Sequence, residues 1–231
     1  MAPAARPISI GAAARQAAID VYFNSLRFVP ANVVFVLGLL VVLFAALHWP
    51  PAILLALLLA APLAGIHRMA ALLVRGEAAG IADFVDGARV FGLQAIGIAA
   101  AIATLGVVLA TNLVTGFESG GPLGWFLGAT ALWGLVALAM FTIAVWPVLV
   151  DPSHDQAPLR RRLQLAGLVL VGRPGRLFLV TALIATVLVA STVLLGAIVL
   201  VGVSYSSVFG TRWALPAVDE LEARFEAARA R

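Results

Sequence analysis

The chain has 231 residues, 63% of them hydrophobic and 11% charged, against about 45–50% and 25% in a soluble globular domain; the balance points to a bilayer and leaves too little polar sequence for a separate catalytic domain. There is no cysteine, which excludes disulfides, thiolate metal sites and cysteine nucleophiles. The 15 basic residues are all arginine, against 11 acids, for a net charge of +4, so Schiff-base lysines and lysine-type phosphate loops are also excluded.

Residues 1–27 carry Arg6 and Arg15 around the weak apolar stretch Ile8 to Ala14, which lacks the long apolar core of a signal peptide. Ile19, Tyr22, Phe23 and Leu26 repeat as i, i+3, i+4, i+7, the pattern of an amphipathic lead-in helix. Five apolar segments follow, at about 28–48, 51–66, 91–115, 123–150 and 177–205. The second is short for a roughly 30 Å hydrocarbon core and is expected to continue through His67 and Arg68 to Val74, giving a span of 51–74. Pro50 and Pro51 after Trp49 predict a tight turn, so spans one and two form a hairpin.

Segment 77–90 places Ile81, Phe84, Val85 and Ala88 on one face, which predicts a short amphipathic helix lying against the membrane surface. Leu159 to Val171 predicts a second such helix, opening with Arg160, Arg161 and Arg162 and ending at a Gly172-Arg173-Pro174-Gly175-Arg176 turn. The tail from Pro216 starts with proline and acids and ends in arginines, so residues 211–231 read as a C-terminal amphipathic helix with Leu215, Val218, Leu221 and Phe225 on its apolar face. The expected fold is all-α: a polytopic transmembrane bundle over 28–210 with about five spans and short interfacial helices.

Most arginines flank apolar segments and read as topology determinants, not as a nucleic-acid surface. Eleven of the fifteen fall on one side of a five-span layout, and none falls in the turns 48–51 and 116–122. That places the N-terminus in the cytoplasm, the C-terminus outside, and the protein in the cytoplasmic (inner) membrane of the cell. Trp49, Trp125, Tyr205 and Trp213 are expected near the outer interface, Tyr22 and Trp146 near the inner one, and Trp133 in packing.

The central parts of the spans hold no Asp, Glu, Arg or His, which disfavours an ion-coupled carrier. Gln94, Thr104, Thr111, Asn112, Thr130, Thr142, Thr181, Thr186, Ser191 and Thr192 are expected to hydrogen-bond between helices in preference to lining a solute path. Gly124 and Gly128 form a GxxxG pair, explained first by packing within the chain. The three histidines are placed on separate loops; Asp151, His154 and Asp155 lack the spacing of a strong metal motif and read as a solvated turn. No catalytic motif, cofactor site or metal site is identified, so a non-enzymatic protein is expected. The richest surface faces the cytoplasm: Arg75, Glu77, Asp83, Phe84, Asp86, Arg89, Arg160, Arg161 and Arg162 are the candidate contacts for a partner or for lipid headgroups.

The run Leu73-Val74-Arg75-Gly76-Glu77, followed by Asp83-Phe84 and Arg89, together with Trp146-Pro147 and the Leu163–Pro174 stretch, resembles the YesL-like family of bacterial membrane proteins of unknown function. The resemblance covers roughly residues 20–205 and implies a multi-span helical protein, often encoded beside carbohydrate uptake systems of the ATP-driven type; it supplies no catalytic residues. The expectation is an accessory or regulatory component of a membrane transport system, in contact with membrane lipids and with ABC-type transporter or sensor subunits, and able to form a homo-oligomer. A small-solute permease or channel formed by an oligomer, and an enzyme acting on lipid-linked substrate, are the alternatives.

Overall fold

The computed structural model describes residues 9–193 and 197–229, with side chains outside 192–200 and 229; Arg6, Ile8, Arg231 and the side chain of Thr192 lie outside the described residues. The helices are α1 (Ile10–Phe23), α2 (Ser25–His48), α3 (Ala60–Val74), α4 (Ile81–Ser119), α5 (Gly121–Leu149), α6 (Leu159–Gly172), α7 (Pro174–Val193) and α8 (Ala197–Arg229). A 3₁₀ segment, Pro50–Leu59, leads into α3, and a single 3₁₀ turn covers Pro152–His154. The described chain is thus an all-α bundle, and five stretches are long and apolar enough to cross a membrane: 25–48, 50–74, 81–119, 121–149 and 174–191.

Local chemistry explains most boundaries. Trp49 closes α2 in an extended conformation, and Pro50 and Pro51, with no N–H to leave unpaired, open the next segment. Because a 3₁₀ segment rises about 2.0 Å per residue against 1.5 Å in an α-helix, residues 50–74 reach farther than their number suggests, and the expected continuation past Arg68 to Val74 is observed. Gly120 and Gly121 take φ of 64° and 70° between α4 and α5, a conformation that strongly favours glycine. Large apolar side chains such as Leu37, Val41, Phe44 and Leu47 remain exposed along α2, as expected of a surface solvated by lipid.

Helices α3 and α4 cross through small residues. Gly65 lies directly against Phe84, Gly87 against Arg68, and Gly92 against Ala61. At the other end of α4, Gly116 meets the backbone of Gly124 and Gly128, so the GxxxG pair packs within the chain. This crossing also corrects one expectation: residues 77–90 do not lie on the membrane surface as a separate helix. Ile81 to Ser119 is one unbroken helix of 39 residues, about 58 Å long, because Phe84, Gly87 and Phe91 bury themselves against α3 instead of lipid.

The largest correction concerns the end of the chain. The segment 177–205 is not one span, and the tail does not lie across the membrane from Arg75. Gly202 packs on Ser191, Gly210 on Ile184, and Gly172 on Leu221, so numbering falls along α7 and α6 as it rises along α8. Helices α7 and α8 therefore run antiparallel. Arg173 pairs with Glu220, and Arg75 pairs with Asp219, which places the tail at the arginine-rich end. Between Arg75 and Asp219 the chain therefore crosses the bundle an even number of times, not an odd number. Hydropathy hides this return because α8 is surrounded by protein: Ser204, Ser207, Thr211, Val208 and Phe209 are all buried, and a helix solvated by other helices need not be apolar on every face. Leu215 and Val218 are buried with them, so the tail helix docks on the bundle, while Phe225 is exposed.

Other side chains also depart from expectation. The lead-in helix buries Asp20 and Val21 together with Ala13 and Ala17, small residues that let α1 approach α8, whereas the apolar stripe Ile19, Tyr22, Phe23 and Leu26 is exposed. Trp133 is 69% exposed and is not a packing residue, and Trp213 is buried rather than interfacial. Thr130, Thr142, Thr181 and Thr186 do not bridge helices: each donates to the carbonyl four residues back in its own helix. Bridging falls instead to Ser204, which donates to Asn32 Oδ1 at 2.9 Å, and to Ser207, hydrogen-bonded with His67 Nε2 at 3.4 Å.

Candidate functional site at the arginine-rich end

Arg75 caps the C-terminus of α3, where Gly76 at φ 84° turns the chain away. Its Nε and Nη2 donate to Asp151 Oδ1 and Oδ2 at 3.0 and 2.6 Å, and its Nη1 and Nη2 donate to Asp219 Oδ2 and Oδ1 at 2.7 and 3.0 Å. One planar guanidinium thus holds two carboxylates in paired geometry. It ties α3 to the turn after α5 and to α8, segments 76 and 144 residues away.

Asp151 is fully buried. Burial alone would raise its carboxyl pKa, but hydrogen bonds from His154, Arg75 and Ser153 outweigh this and hold it far below the usual carboxylate range. His154 Nδ1 lies 2.9 Å from Asp151 Oδ2, and its Nε2 lies 3.1 Å from Glu222 Oε2. With a carboxylate at each ring nitrogen, Asp151 foremost, the imidazole pKa is raised and the doubly protonated ring is favoured. Such a ring donates from both nitrogens and has no lone pair with which to accept a proton. Ser153 Oγ donates to Asp151 at 2.7 Å and lies 3.0 Å from His154 Nδ1, so the serine, histidine and acid gathered here form one hydrogen-bonded latch.

The rest of the end is built the same way. Arg161 donates to Glu222 at 2.8 Å, and Arg68 grips Asp155 through two bonds of 2.7 Å while also donating to the Val150 carbonyl. Buried Arg162 caps the carbonyls of Leu149 and Asp155, with its guanidinium 5.1 Å from the Phe91 ring centroid. Arg212 pairs with Asp20, joining α8 to α1.

The candidate contact residues therefore divide. Arg75, Arg161 and Arg162 are spent on internal carboxylates and carbonyls. Asp83 accepts from the Gly80 N–H at 2.8 Å and caps α4, and Phe84 is buried against Gly65. Glu77, Asp86, Arg89 and Arg160 are exposed and form no ion pair among the described residues. Asp151, His154 and Asp155 do not form a solvated turn; Asp155 goes to Arg68 while the other two join the latch. His67 is inside α3 and buried, not on a loop. Asp219 and Glu222 are legible only as helix-terminal acids, since their partners come from distant segments, whereas the i, i+4 pair of Glu220 with Arg224 is local and is observed.

The latch has a testable pH dependence. The His154 pKa in the folded protein lies above its ordinary value of 6.5, so the clamp contributes fully below that value and is lost as pH rises through the raised folded pKa. Amide exchange in residues 216–226, corrected for intrinsic rate, should be faster at pH 9 than at pH 6. His154→Gln should abolish that difference; an unchanged pH response in this variant would exclude His154 as its origin.

No protein-family model, curated protein or solved structure matches the chain. Fold and composition define its class as an all-α bundle compatible with a multi-pass membrane protein.

Proposed function

We propose that this chain is a non-enzymatic accessory or regulatory component of a membrane transport system, possessing a rigid contact platform at its arginine-rich end. The observation that carries the reading is the division of charge there. Arg75, Asp151, His154, Asp219 and Glu222 lock three segments together, leaving Glu77 exposed before α4, Asp86 and Arg89 in the second and third turns of α4, and Arg160 at the start of α6. Charges held on a fixed frame and unspent internally suit recognition of a complementary charged surface. The transport association is what the YesL-like resemblance implies, and the cytoplasmic membrane is the setting read from the placement of the arginines.

An oligomeric permease is less well supported: Gln94, Thr104 and Thr111 are exposed on α4 outside the pocket between α4 and α5 that Asn112 lines with Thr115, Ser119 and Thr130. An enzyme acting on lipid-linked substrate is less well supported because the available imidazole at this end is held by two carboxylates. Affinity purification of the full chain from native membranes in mild detergent, with mass spectrometry of stoichiometric partners, tests the proposal. Transporter or sensor subunits should co-elute and fall at least several-fold with the double variant Asp86→Ala, Arg89→Ala, neither residue having an internal partner to lose. Recovery of this chain alone from both preparations would overturn it.

A further inference from the structure

A second feature lies within the spans, away from the charged end. Helices α2, α3, α5, α7 and α8 surround a cavity of about 350 Å³, at the lower end of the size range of small-molecule pockets and equal to roughly a dozen waters of liquid volume. Most of the wall is aliphatic or aromatic, including Leu39, Leu63 and Ile184. The exceptions are His67, Thr142, Ser191, Ser206 and Ser207. His67 Nδ1, Ser191 Oγ and Ser206 Oγ are buried and have no hydrogen-bond partner among the described residues. His67 and Ser191 are themselves more than nine-tenths buried, at 8% and 2% exposure.

These groups are arranged by the helices and not scattered. His67 is oriented from both sides: Ser207 engages Nε2, and Trp146 stacks on the ring with centroids 6.3 Å apart. Nδ1 is left for another partner. Ser206 adjoins Ser207, and Ser191 faces Gly202, about one helical turn farther along α8. A buried donor or acceptor left unmade is costly, and several such atoms on one otherwise apolar cavity specify a ligand with a matching polar atom. No arginine, aspartate or glutamate lines the wall, so an ionised ligand would be desolvated without a counter-charge.

We propose that this cavity binds an uncharged amphiphile, a molecule with an aliphatic or prenyl body and one hydrogen-bonding head such as a hydroxyl, with the head at His67 and Ser206. Helices α2, α3, α5, α7 and α8 supply the apolar walls, and the surrounding lipid supplies the ligand. The assignment is independent of the contact platform and would stand if that platform had no partner.

The test uses the full chain in lipid nanodiscs, with 10-bromodecan-1-ol and 1-bromodecane as quenchers of tryptophan fluorescence. The signal of Trp146, which lines the cavity, is the difference between the native chain and Trp146→Phe. The alcohol should quench this component saturably and at least several-fold more tightly than the bromoalkane. Ser206→Ala removes one hydrogen bond without adding volume and should weaken the alcohol about fivefold while leaving the bromoalkane unchanged. Gly210→Leu should abolish saturable quenching by both, since a Cβ at 210 meets only ordinary contacts with Ile184 and Ile143 and the longer side chain enters the cavity. Non-saturable quenching of Trp146, or equal affinity for alcohol and bromoalkane with no effect of Ser206→Ala, would overturn the proposal; the serine variant decides this even if Gly210→Leu does not fold.

Discussion

Replacing Arg75 with alanine should destabilise the protein more than any other single change at the charged end. The substitution removes four hydrogen bonds to Asp151 and Asp219 and leaves the Asp151 carboxylate buried with only His154 and Ser153. Breaking one side of a buried ion pair costs about 3–5 kcal/mol. Asp219 is 40% exposed and Arg75 is itself 23% exposed, so solvent recovers part of this, and a loss of about 2–3 kcal/mol is expected. For a chain of this size that is a fall in Tm of roughly 5–10 °C, measurable by thermal unfolding in detergent. Protease sensitivity should rise first in the tail, because Asp219 anchors α8. Arg75→Lys should recover less than half of the loss, since one ammonium cannot present the planar fork that serves both carboxylates. Full recovery by lysine would mean that charge alone, and not the two-sided geometry, holds the segments together.

Gly65→Leu should be comparably damaging through sterics alone. A Cβ at residue 65 would fall 2.7 Å from the Phe84 ring and closer still to the Phe84 carbonyl, and because backbone is among the obstructing atoms no rotamer relieves the clash. Overpacking costs about 1–3 kcal/mol where side chains can move, so here the upper end or more is expected, seen as a lower unfolding midpoint and slower migration on size exclusion. Gly97→Ala is the control: nothing lies within 4 Å of its Cβ, and replacing a mid-helix glycine should stabilise by about 0.5–1 kcal/mol. Equal behaviour of Gly65 and Gly97 variants would contradict close approach of α3 and α4.

Local signals carried much of the fold. The apolar runs placed α2, the 50–74 span, α5 and the start of α7; the Trp49-Pro50-Pro51 and Gly120-Gly121 turns were legible because proline and glycine act on their own backbone. The α6 helix and its closing Gly172–Arg176 turn were legible for the same reason. Expectations failed where a segment's neighbour is protein and not lipid or water. The 77–90 face reads as interfacial in isolation, yet it packs on α3, and nothing local marks Ala13 and Ala17 as the face that α1 buries.

At the arginine-rich end, the sequence does not reveal which charged residues are free. Asp83 was a candidate contact and is a helix cap; Arg75 was a candidate contact and is the central clamp. Its partners are 76 and 144 residues away, beyond any spacing rule.

The amino-acid sequence by itself determined that this is a helical, membrane-compatible chain with its charge gathered at one end, because hydropathy and breaker residues act through the local chain. Only the tertiary structure decided that α8 returns beside α7, that the tail shares an end with Arg75, and that His67, Ser191 and Ser206 meet around one cavity. The physical reason is that a polar helix face is paid for by other helices, and which helices those are depends on the whole packing arrangement.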